Sequence, residues 1–401
     1  SKGLDLSDEL QLAELDTELN QYFAKVYTAE PLLWDYKVSE REAKQVRNPA
    51  KQNDVVGFVS NATLAEVDVA VSNALRAFPE WSATTPQERA ARIIKFANLM
   101  ELNYYEMLQI VVREAGKTLS NGIAEVREAV DFCRYYAQQA RLRLGREELQ
   151  GPTGERNELF HEGRGIFACI SPWNFPLAIY LGQISAALLA GNCVLAKPAE
   201  QTSLIAARTL ELMFEAGLPT DVIAFLPGDG ATLGGVFCRD ARVAGVCFTG
   251  STDTARIINR QLADKPGPIA ALIAETGGQN AMIVDSTALP EQVVKDAVQS
   301  AFTSAGQRCS ALRVLYVQDD IAERVIDLLK GAMAELKVGA SEKRENDIGP
   351  VIDAEAKAGL LAHIATLKSA GKLIAETRLP SGLDGHFVAP VAFGIGGIHE
   401  L

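Results

Sequence analysis

The chain of 401 residues is long enough for two packed cores, because single cores stop growing well before that length. Hydrophobic residues make up 48% and charged residues 22% of the composition, as in globular proteins, and no apolar run reaches the roughly 18–20 residues of a membrane span. A formal net charge of −12 without a cluster of Lys and Arg excludes a nucleic-acid-binding surface as the main function, so we expect small-molecule partners.

Cysteine and histidine spacing argues against a zinc site. The six cysteines show no CxxC spacing, and the four histidines fall in no ligand pattern. The start "SKGLDLSDEL" is polar and acidic, unlike a signal peptide, so we expect a cytoplasmic protein with free thiols. The first residue is not Met, and the last stretch "PVAFGIGGIHEL" ends in apolar sequence, which is typical of a fragment.

The first part of the chain predicts a strand pair followed by helices. Val67, Val71 and Ala74 recur at helical spacing after the strand pair, and a second helix is predicted to begin with Thr85 as its N-cap and Pro86 in its first turn. A third helix spans most of "GIAEVREAVDFCRYYAQQARLRL". The Gly and Pro residues of "LQGPTGERNELFHEGRG" then predict a hairpin.

From Gly165 onward, short apolar strands alternate with helices. This alternation indicates βαβ units and a parallel sheet, which bind ligands beyond the carboxyl ends of the strands. A second α/β region begins at "AMIVD". The fold class that we predict is therefore α/β, with a Rossmann-type nucleotide-binding domain and a second α/β domain.

Polar residues follow several of these strands. Asn174 in "SPWNFP" is either a turn residue or an amide donor to a developing oxyanion. Lys197 and Glu200 are either a solvated pair or ribose ligands, in which case the carboxylate favours NAD over NADP. Gly230 and Gly234 form only a weak glycine signal, while Ser251, after Gly250, either caps an ordinary helix or marks a phosphate site.

The last two candidates are a carboxylate and a thiol. Glu275 ends an apolar strand, where a carboxylate is costly unless it is needed there. Cys309 lies beside Arg308, whose cation would stabilise a thiolate, although most free cysteines are buried small hydrophobic residues. Together, a thiol, a carboxylate to activate water, an amide donor and a nucleotide site describe the oxidation of an aldehyde through a thioester.

The motifs "SPWNFP", "KPAEQTS", "FTGST", "ETGGQN" and "GQRCS" occur in an order that resembles the aldehyde dehydrogenase superfamily, over about residue 49 to the end. The resemblance implies that Cys309 is the nucleophile, that Glu275 activates water, and that Asn174 and the Cys309 backbone amide bind the oxyanion. It implies NAD as the cofactor, with a set of contacts at the strand ends: Ile170, Pro172, Trp173, Lys197, Glu200, Gly230, Gly234, Thr249, Gly250 and Ser251.

Within the superfamily, "LQGPTGERNEL", "AETGGQNA" and "RCSALR" resemble the L-glutamate γ-semialdehyde dehydrogenases, in particular the domain found in bifunctional proteins of the proline utilization A family. This resemblance implies that Phe175 and Ser310 line the aldehyde pocket, that Arg308 favours a carboxylate-bearing substrate and that Glu128 approaches its ammonium group. It also implies an FAD-dependent proline dehydrogenase domain in the parent polypeptide, a homodimeric full-length protein and a cytoplasmic location, with the parent peripheral at the inner membrane.

The resemblance also predicts the domain organisation. We expect a helical lead-in over residues 1–45, an NAD-binding domain over 46–143 and 165–275, an oligomerisation hairpin over 144–164, and an incomplete catalytic domain over 276–401. The Glu-x-Phe-Gly-Pro motif of the family is absent from the sequence, so we expect weak turnover or none from this chain.

Two alternatives remain from the sequence. One is an NAD-dependent dehydrogenase of another semialdehyde, such as succinate semialdehyde. The other is a non-catalytic scaffold domain, which is disfavoured because a scaffold does not need Cys309, Glu275 and Asn174 together.

Overall fold

The structure is a computed structural model that describes residues 1–400, and these residues form two compact units. Unit 1 consists of Ser1–Val46, Val56–Ile110 and Ile123–Thr276, and unit 2 consists of Arg47–Val55, Val111–Gly122 and the residues from Gly277 onward. Unit 2 therefore takes in two early segments that the sequence expectation placed in the NAD-binding domain. No helix in residues 1–400 combines the length and the apolar character that crossing a bilayer requires.

The α-helices are α1 (Glu9–Tyr22), α2 (Leu64–Ala83), α3 (Pro86–Leu102), α4 (Tyr104–Ala115), α5 (Leu119–Arg143), α6 (Ala178–Leu189), α7 (Ser203–Glu215), α8 (Gly230–Arg239), α9 (Thr252–Asp264), α10 (Pro290–Phe302), α11 (Asp319–Glu335) and α12 (Ala354–Ser369). The β-strands are β1 (Tyr27–Ala29), β2 (Lys44–Asn48), β3 (Lys51–Val59), β4 (Glu147–Leu149), β5 (Asn157–Leu159), β6 (Ile166–Ile170), β7 (Cys193–Lys197), β8 (Ile223–Phe225), β9 (Val243–Gly250), β10 (Ala271–Thr276), β11 (Asn280–Val284), β12 (Leu312–Val317), β13 (Leu373–Glu376) and β14 (Val391–Phe393).

Local capping explains where the early helices begin. The hydroxyl of Thr85 accepts a hydrogen bond from the N–H of Glu88 at 3.2 Å, and the Glu88 carboxylate accepts one from the N–H of Thr85 at 2.8 Å. This reciprocal pair satisfies backbone donors that the first turn of α3 would otherwise leave free. The predicted N-cap at Thr85, with Pro86 in the first turn, is confirmed. The predicted hairpin is the antiparallel pair of β4 and β5.

A five-stranded parallel sheet forms the centre of unit 1, with strand order β10-β9-β6-β7-β8. The predicted parallel sheet is therefore confirmed. The chain runs outward from β6 through β7 to β8 and then returns to place β9 on the other side of β6. The strand order thus reverses between β6 and β9, and the crevice beyond the carboxyl ends of strands at such a reversal is where this sheet class binds ligands.

The contact between β6 and β9 depends on a glycine. Gly245 lies opposite Phe167 in the strand register, and a Cβ atom at Gly245 would lie 2.4–2.9 Å from three atoms of the Phe167 ring. Phe167 is buried. A side chain at residue 245 would therefore displace this ring.

Unit 2 has its own cores. The parallel pair of β11 and β12 packs with α10 and α11 around a cluster of buried valines, which are Val284, Val293, Val294 and Val325. A second cluster contains Ala50, Val338, Ile348 and Phe387. The strands β13 and β14 form an antiparallel pair.

We predict that Gly245→Ala lowers the free energy of unfolding by about 1–3 kcal/mol, because overpacking costs roughly this much. The measurement is the urea midpoint. Gly235→Ala is the matched control, since a Cβ there meets its nearest atom at 3.7 Å on helix α8, where Ala is favoured over Gly by about 1 kcal/mol. Equal midpoints for Gly245→Ala and the unmodified chain would contradict this prediction.

Candidate active site

The loop after β6 is anchored by a buried glutamate. Glu125 on α5 is 1% exposed, and its Oε1 accepts hydrogen bonds from the N–H groups of Leu177 and Ala178, both at 3.0 Å. These are donors at the start of α6, which has no side-chain cap of its own. The segment that carries Pro172, Trp173, Asn174 and Phe175 therefore ends at a fixed helix start.

Asn174 is half-buried in this loop. Its Oδ1 is shielded from solvent and accepts no hydrogen bond from any group in residues 1–400. The turn interpretation requires that oxygen to accept from a nearby backbone N–H. This side-chain turn hydrogen bond is therefore not made, and the role of the Asn174 amide as an oxyanion donor remains a prediction.

The ends of β7 and β8 bring together Lys197, Glu200 and Gly230. Lys197 is 2% exposed, its Nζ donates to the carbonyl of Pro198 at 2.9 Å, and Glu200 Oε1 lies 3.4 Å away. Burial lowers the pKa of Lys197, and the Glu200 carboxylate opposes this effect. The N–H of Gly230, at the start of α8, donates to the same Glu200 oxygen. The buried lysine contradicts the alternative of a solvated surface pair.

The ends of β6 and β9 hold more of the predicted cofactor contacts. A Cβ at Gly234 would lie 3.7 Å from Ile170, so the missing side chain leaves space beside the last residue of β6. Thr249 lies opposite Glu275 and Gly250 lies opposite Thr276 in the parallel register of β9 and β10.

Two predicted residues lie at the same edge. Glu275 is exposed there. Ser251 accepts a hydrogen bond from the N–H of Thr254 at 3.2 Å, so its predicted role as the cap of α9 is confirmed. A phosphate site at this helix start remains a prediction.

Gln183 connects two of these strand ends. Its Nε2 donates to the hydroxyl of Thr249 at 3.0 Å and to the carbonyl of Ile170 at 3.3 Å. Sequence reasoning missed both Gln183 and Glu125. The available signal was a polar side chain within an otherwise apolar helix face, such as Glu125 between Ile123 and Val126.

Unit 2 carries Cys309, the candidate nucleophile. Cys309 is exposed, whereas the other five cysteines are buried. Ser310 is exposed beside it and Arg308 is half-buried. The remaining residues assigned to the substrate, half-buried Phe175 and exposed Glu128, lie in unit 1.

Side chains hold the segment before Cys309. The Gln307 amide donates to the carbonyls of Ser304 and Pro350, at 3.0 and 3.3 Å, and its oxygen accepts from the N–H of Ile352 at 2.9 Å. The Arg313 guanidinium donates to the carbonyl of Gly306 at 2.9 Å. Every polar atom of the Gln307 side chain is thus used within unit 2.

The turn before Gln307 is left-handed. Ser304, Ala305 and Gly306 have φ angles of 58°, 55° and 71°. Only glycine adopts this conformation without steric cost, and other residues lose about 1–2 kcal/mol each. The turn is therefore strained at two positions, and the strain lies just before the candidate nucleophile.

We predict that Glu125→Ala lowers the free energy of unfolding by about 2–3 kcal/mol, because two N–H groups lose a charged acceptor in a buried site. Glu125→Gln keeps an acceptor oxygen and should cost about half as much. Urea unfolding measures both variants. A loss below about 0.5 kcal/mol for Glu125→Ala would refute the anchoring role.

We also predict that Ala305→Gly raises the free energy of unfolding by about 0.5–1 kcal/mol, because relief of the left-handed strain exceeds the extra chain entropy of glycine. The control is Ala297→Gly, at a buried position in α10, which should lower stability by at least about 1 kcal/mol. Both changes are read as shifts in thermal midpoint. A lower midpoint for Ala305→Gly would contradict the argument from strain.

Comparisons with known proteins agree with this arrangement. Residues 36–394 match the model of the aldehyde dehydrogenase family. The chain is 49% identical over 410 residues to the bifunctional protein PutA of Salmonella typhimurium, and the match covers 100% of this chain but 30% of that protein. The chain thus spans about a third of the length of such relatives.

Shorter relatives match over most of their length. The 1-pyrroline-5-carboxylate dehydrogenase of Anoxybacillus flavithermus is 36% identical over 349 residues, which are 86% of this chain and 68% of that enzyme. The structure of 1-pyrroline-5-carboxylate dehydrogenase from Thermus, solved with bound NAD, superposes with a TM-score of 0.93 at 32% identity, covering 98% of this chain and 77% of that one. The chain has the aldehyde dehydrogenase fold and belongs to the aldehyde dehydrogenase family.

Proposed function

We propose that the chain carries out the NAD-dependent oxidation of L-glutamate γ-semialdehyde, the open form of pyrroline-5-carboxylate, to L-glutamate in proline catabolism. The observation that carries this proposal is the exposed thiol of Cys309 on a turn that side chains hold in place, while the other cysteines are buried. The choice of substrate is supported by the relatives named 1-pyrroline-5-carboxylate dehydrogenase.

The residues at the carboxyl edge of the five-stranded sheet fit NAD. The strand order reverses between β6 and β9, where Ile170, Gly234 and Thr249 lie. The exposed carboxylate of Glu200 beside buried Lys197 suits the two hydroxyls of a ribose and would repel a 2′-phosphate. Pro172, Trp173, Gly230, Gly250 and Ser251 complete the proposed contacts. NAD bound by these residues would supply the hydride acceptor for the oxidation.

The protein residues supply the other steps. The Cys309 sulfur forms a bond to the aldehyde carbon, and the carbonyl oxygen becomes an oxyanion that accepts from the Asn174 amide and the Cys309 N–H. After the hydride leaves, a thioester remains on Cys309. Glu275 takes a proton from a water molecule, which attacks the thioester and releases the thiolate and the carboxylic acid.

The remaining assignments concern the substrate. We propose that Phe175 and Ser310 line the aldehyde pocket, that Arg308 binds the substrate carboxylate and that Glu128 approaches its ammonium group. A cation for a carboxylate and a carboxylate for an ammonium are the complementary pairings that an amino-acid semialdehyde requires. These pairings would disfavour succinate semialdehyde, which lacks the ammonium group.

The proposal extends to the parent protein. We propose a cytoplasmic polypeptide in which an FAD-dependent proline dehydrogenase domain supplies the substrate, and a homodimer that uses the hairpin over residues 144–164. The hairpin supports a pairing role because Leu149, Leu159 and Phe160 on its strands and flank are 44–46% exposed.

We expect the chain to form NADH from glutamate γ-semialdehyde and NAD only at the low rate that the sequence analysis predicts, measured by absorbance, and Cys309→Ala to abolish it, because the other five cysteines are buried. NAD binding to Cys309→Ala, measured by calorimetry, should be unchanged. NADH formation that survives in Cys309→Ala would reject the proposed nucleophile.

Two comparisons make this experiment specific. Glu275→Gln should form the thioester on Cys309, visible by mass spectrometry, and then stall, because no base activates the water. Succinate semialdehyde should be oxidised more slowly than the amino-acid semialdehyde, and the reverse order would favour the alternative substrate class.

A further inference from the structure

Cys309 is the second residue of a tight turn. The N–H of Ala311 donates to the carbonyl of Arg308 at 3.2 Å, which closes a four-residue turn over Cys309 and Ser310. In a trans peptide the N–H points opposite to the carbonyl oxygen. The N–H of Cys309 therefore points away from the inside of the turn, and it donates to no acceptor within residues 1–400.

The peptide that follows Cys309 is held by a side chain on strand β11. The amide Nδ2 of Asn280 donates to the carbonyl of Cys309 at 2.7 Å and to the carbonyl of Ala311 at 3.0 Å. The peptide between the second and third residues of a turn is the one whose rotation distinguishes the common turn types. Asn280 therefore prevents the rotation that would redirect the backbone of Cys309.

A bulge places Asn280 at this position. Asn280 lies opposite Leu312, while Ala281 lies opposite Val314, so Arg313 is an extra residue in β12. Such bulges change the direction of side chains and are frequent beside active sites. Arg313 in turn donates to the carbonyl of Gly306, so side-chain donors hold carbonyls on both sides of the thiol.

We propose that Asn280 is a positioning residue that orients the Cys309 N–H as an oxyanion donor. This inference rests on the proposed function, because it requires Cys309 to be the nucleophile. The contact of Asn280 with the Cys309 carbonyl holds the peptide after Cys309, and its contact with the Ala311 carbonyl holds the end of the turn. The Ala311 N–H holds the peptide before Cys309, so hydrogen bonds on both sides oppose a rotation that would turn the donor away.

Two reagents distinguish a change in the orientation of the Cys309 N–H from a change in the accessibility of the Cys309 thiol. With 4-nitrophenyl acetate, the Cys309 sulfur bonds to the carbonyl carbon, an oxyanion forms, and 4-nitrophenolate leaves as the thioester appears. With iodoacetamide, the sulfur bonds to the methylene carbon and iodide leaves without an oxyanion. The ratio of the acylation rate to the alkylation rate therefore reports the oxyanion donor.

The experiment measures both rates on the 401-residue chain and its variants, with Cys309→Ala as background. We expect Asn280→Ala to lower the ratio about tenfold or more, since losing one oxyanion donor costs about 10²–10³ and misdirecting it costs less. Asn280→Ser, which keeps one hydroxyl donor, should lower the ratio less. Asn346→Ala is the matched control in unit 2, because the Asn346 amide also donates to a carbonyl, that of Ala340 at 2.9 Å, and it should leave the ratio unchanged.

Each other outcome rejects the inference for a different reason. An unchanged ratio in Asn280→Ala, or equal losses in both rates, would mean that Asn280 has only a structural role while Cys309 remains the nucleophile. Acylation that is absent from the unmodified chain, or that persists in Cys309→Ala, would reject the proposed nucleophile and this inference together.

Discussion

The carboxyl edge of the parallel sheet depends on the buried carboxylate of Glu125. Helix α6 begins without a local cap, and the first N–H groups of a helix need acceptors when they are buried. Glu125 supplies the acceptor from α5, and the partial positive charge at the helix start stabilises its carboxylate in turn. A single long-range contact thus sets where α6 starts and how the loop with Asn174 leaves β6.

Side chains also hold the backbone at the ends of the neighbouring strands. Gln183 on α6 donates to the hydroxyl of Thr249 and to the last carbonyl of β6, so the helix fixed by Glu125 also fixes the ends of β6 and β9. The buried ammonium group of Lys197, at the end of β7, donates a hydrogen bond to the carbonyl of Pro198. Backbone and polar groups at the edge of a buried sheet need partners, and in this protein side chains provide them. The crevice is therefore shaped before a ligand enters.

Sequence reasoning predicts the parts of this arrangement that depend on near neighbours. The cap at Thr85 involves a residue three positions away, and the alternation of strands and helices is visible in short windows. Glu125, Gln183 and Asn280 act on partners 52, 66 and 29 positions away, so a local pattern can mark a polar residue on an apolar face but cannot identify its partner. The left-handed turn was also hidden, because Ser304 and Ala305 do not favour that conformation. The motifs locate the candidate residues at strand ends and loops, but not the side chains that hold them.

The turn that carries Cys309 shows why such side chains are needed. Cys309 is exposed, and as the proposed nucleophile its thiol would have to be reached by a substrate, which excludes fixing it by burial in a core. Its backbone is fixed by hydrogen bonds instead. The two strained residues before it cost about 2–4 kcal/mol, and the three hydrogen bonds of Gln307 contribute about 3 kcal/mol. The strain and the contacts nearly cancel, so the strained turn persists only while these contacts are made. An exposed thiol on a backbone held in this way is accessible while the backbone that carries it stays fixed.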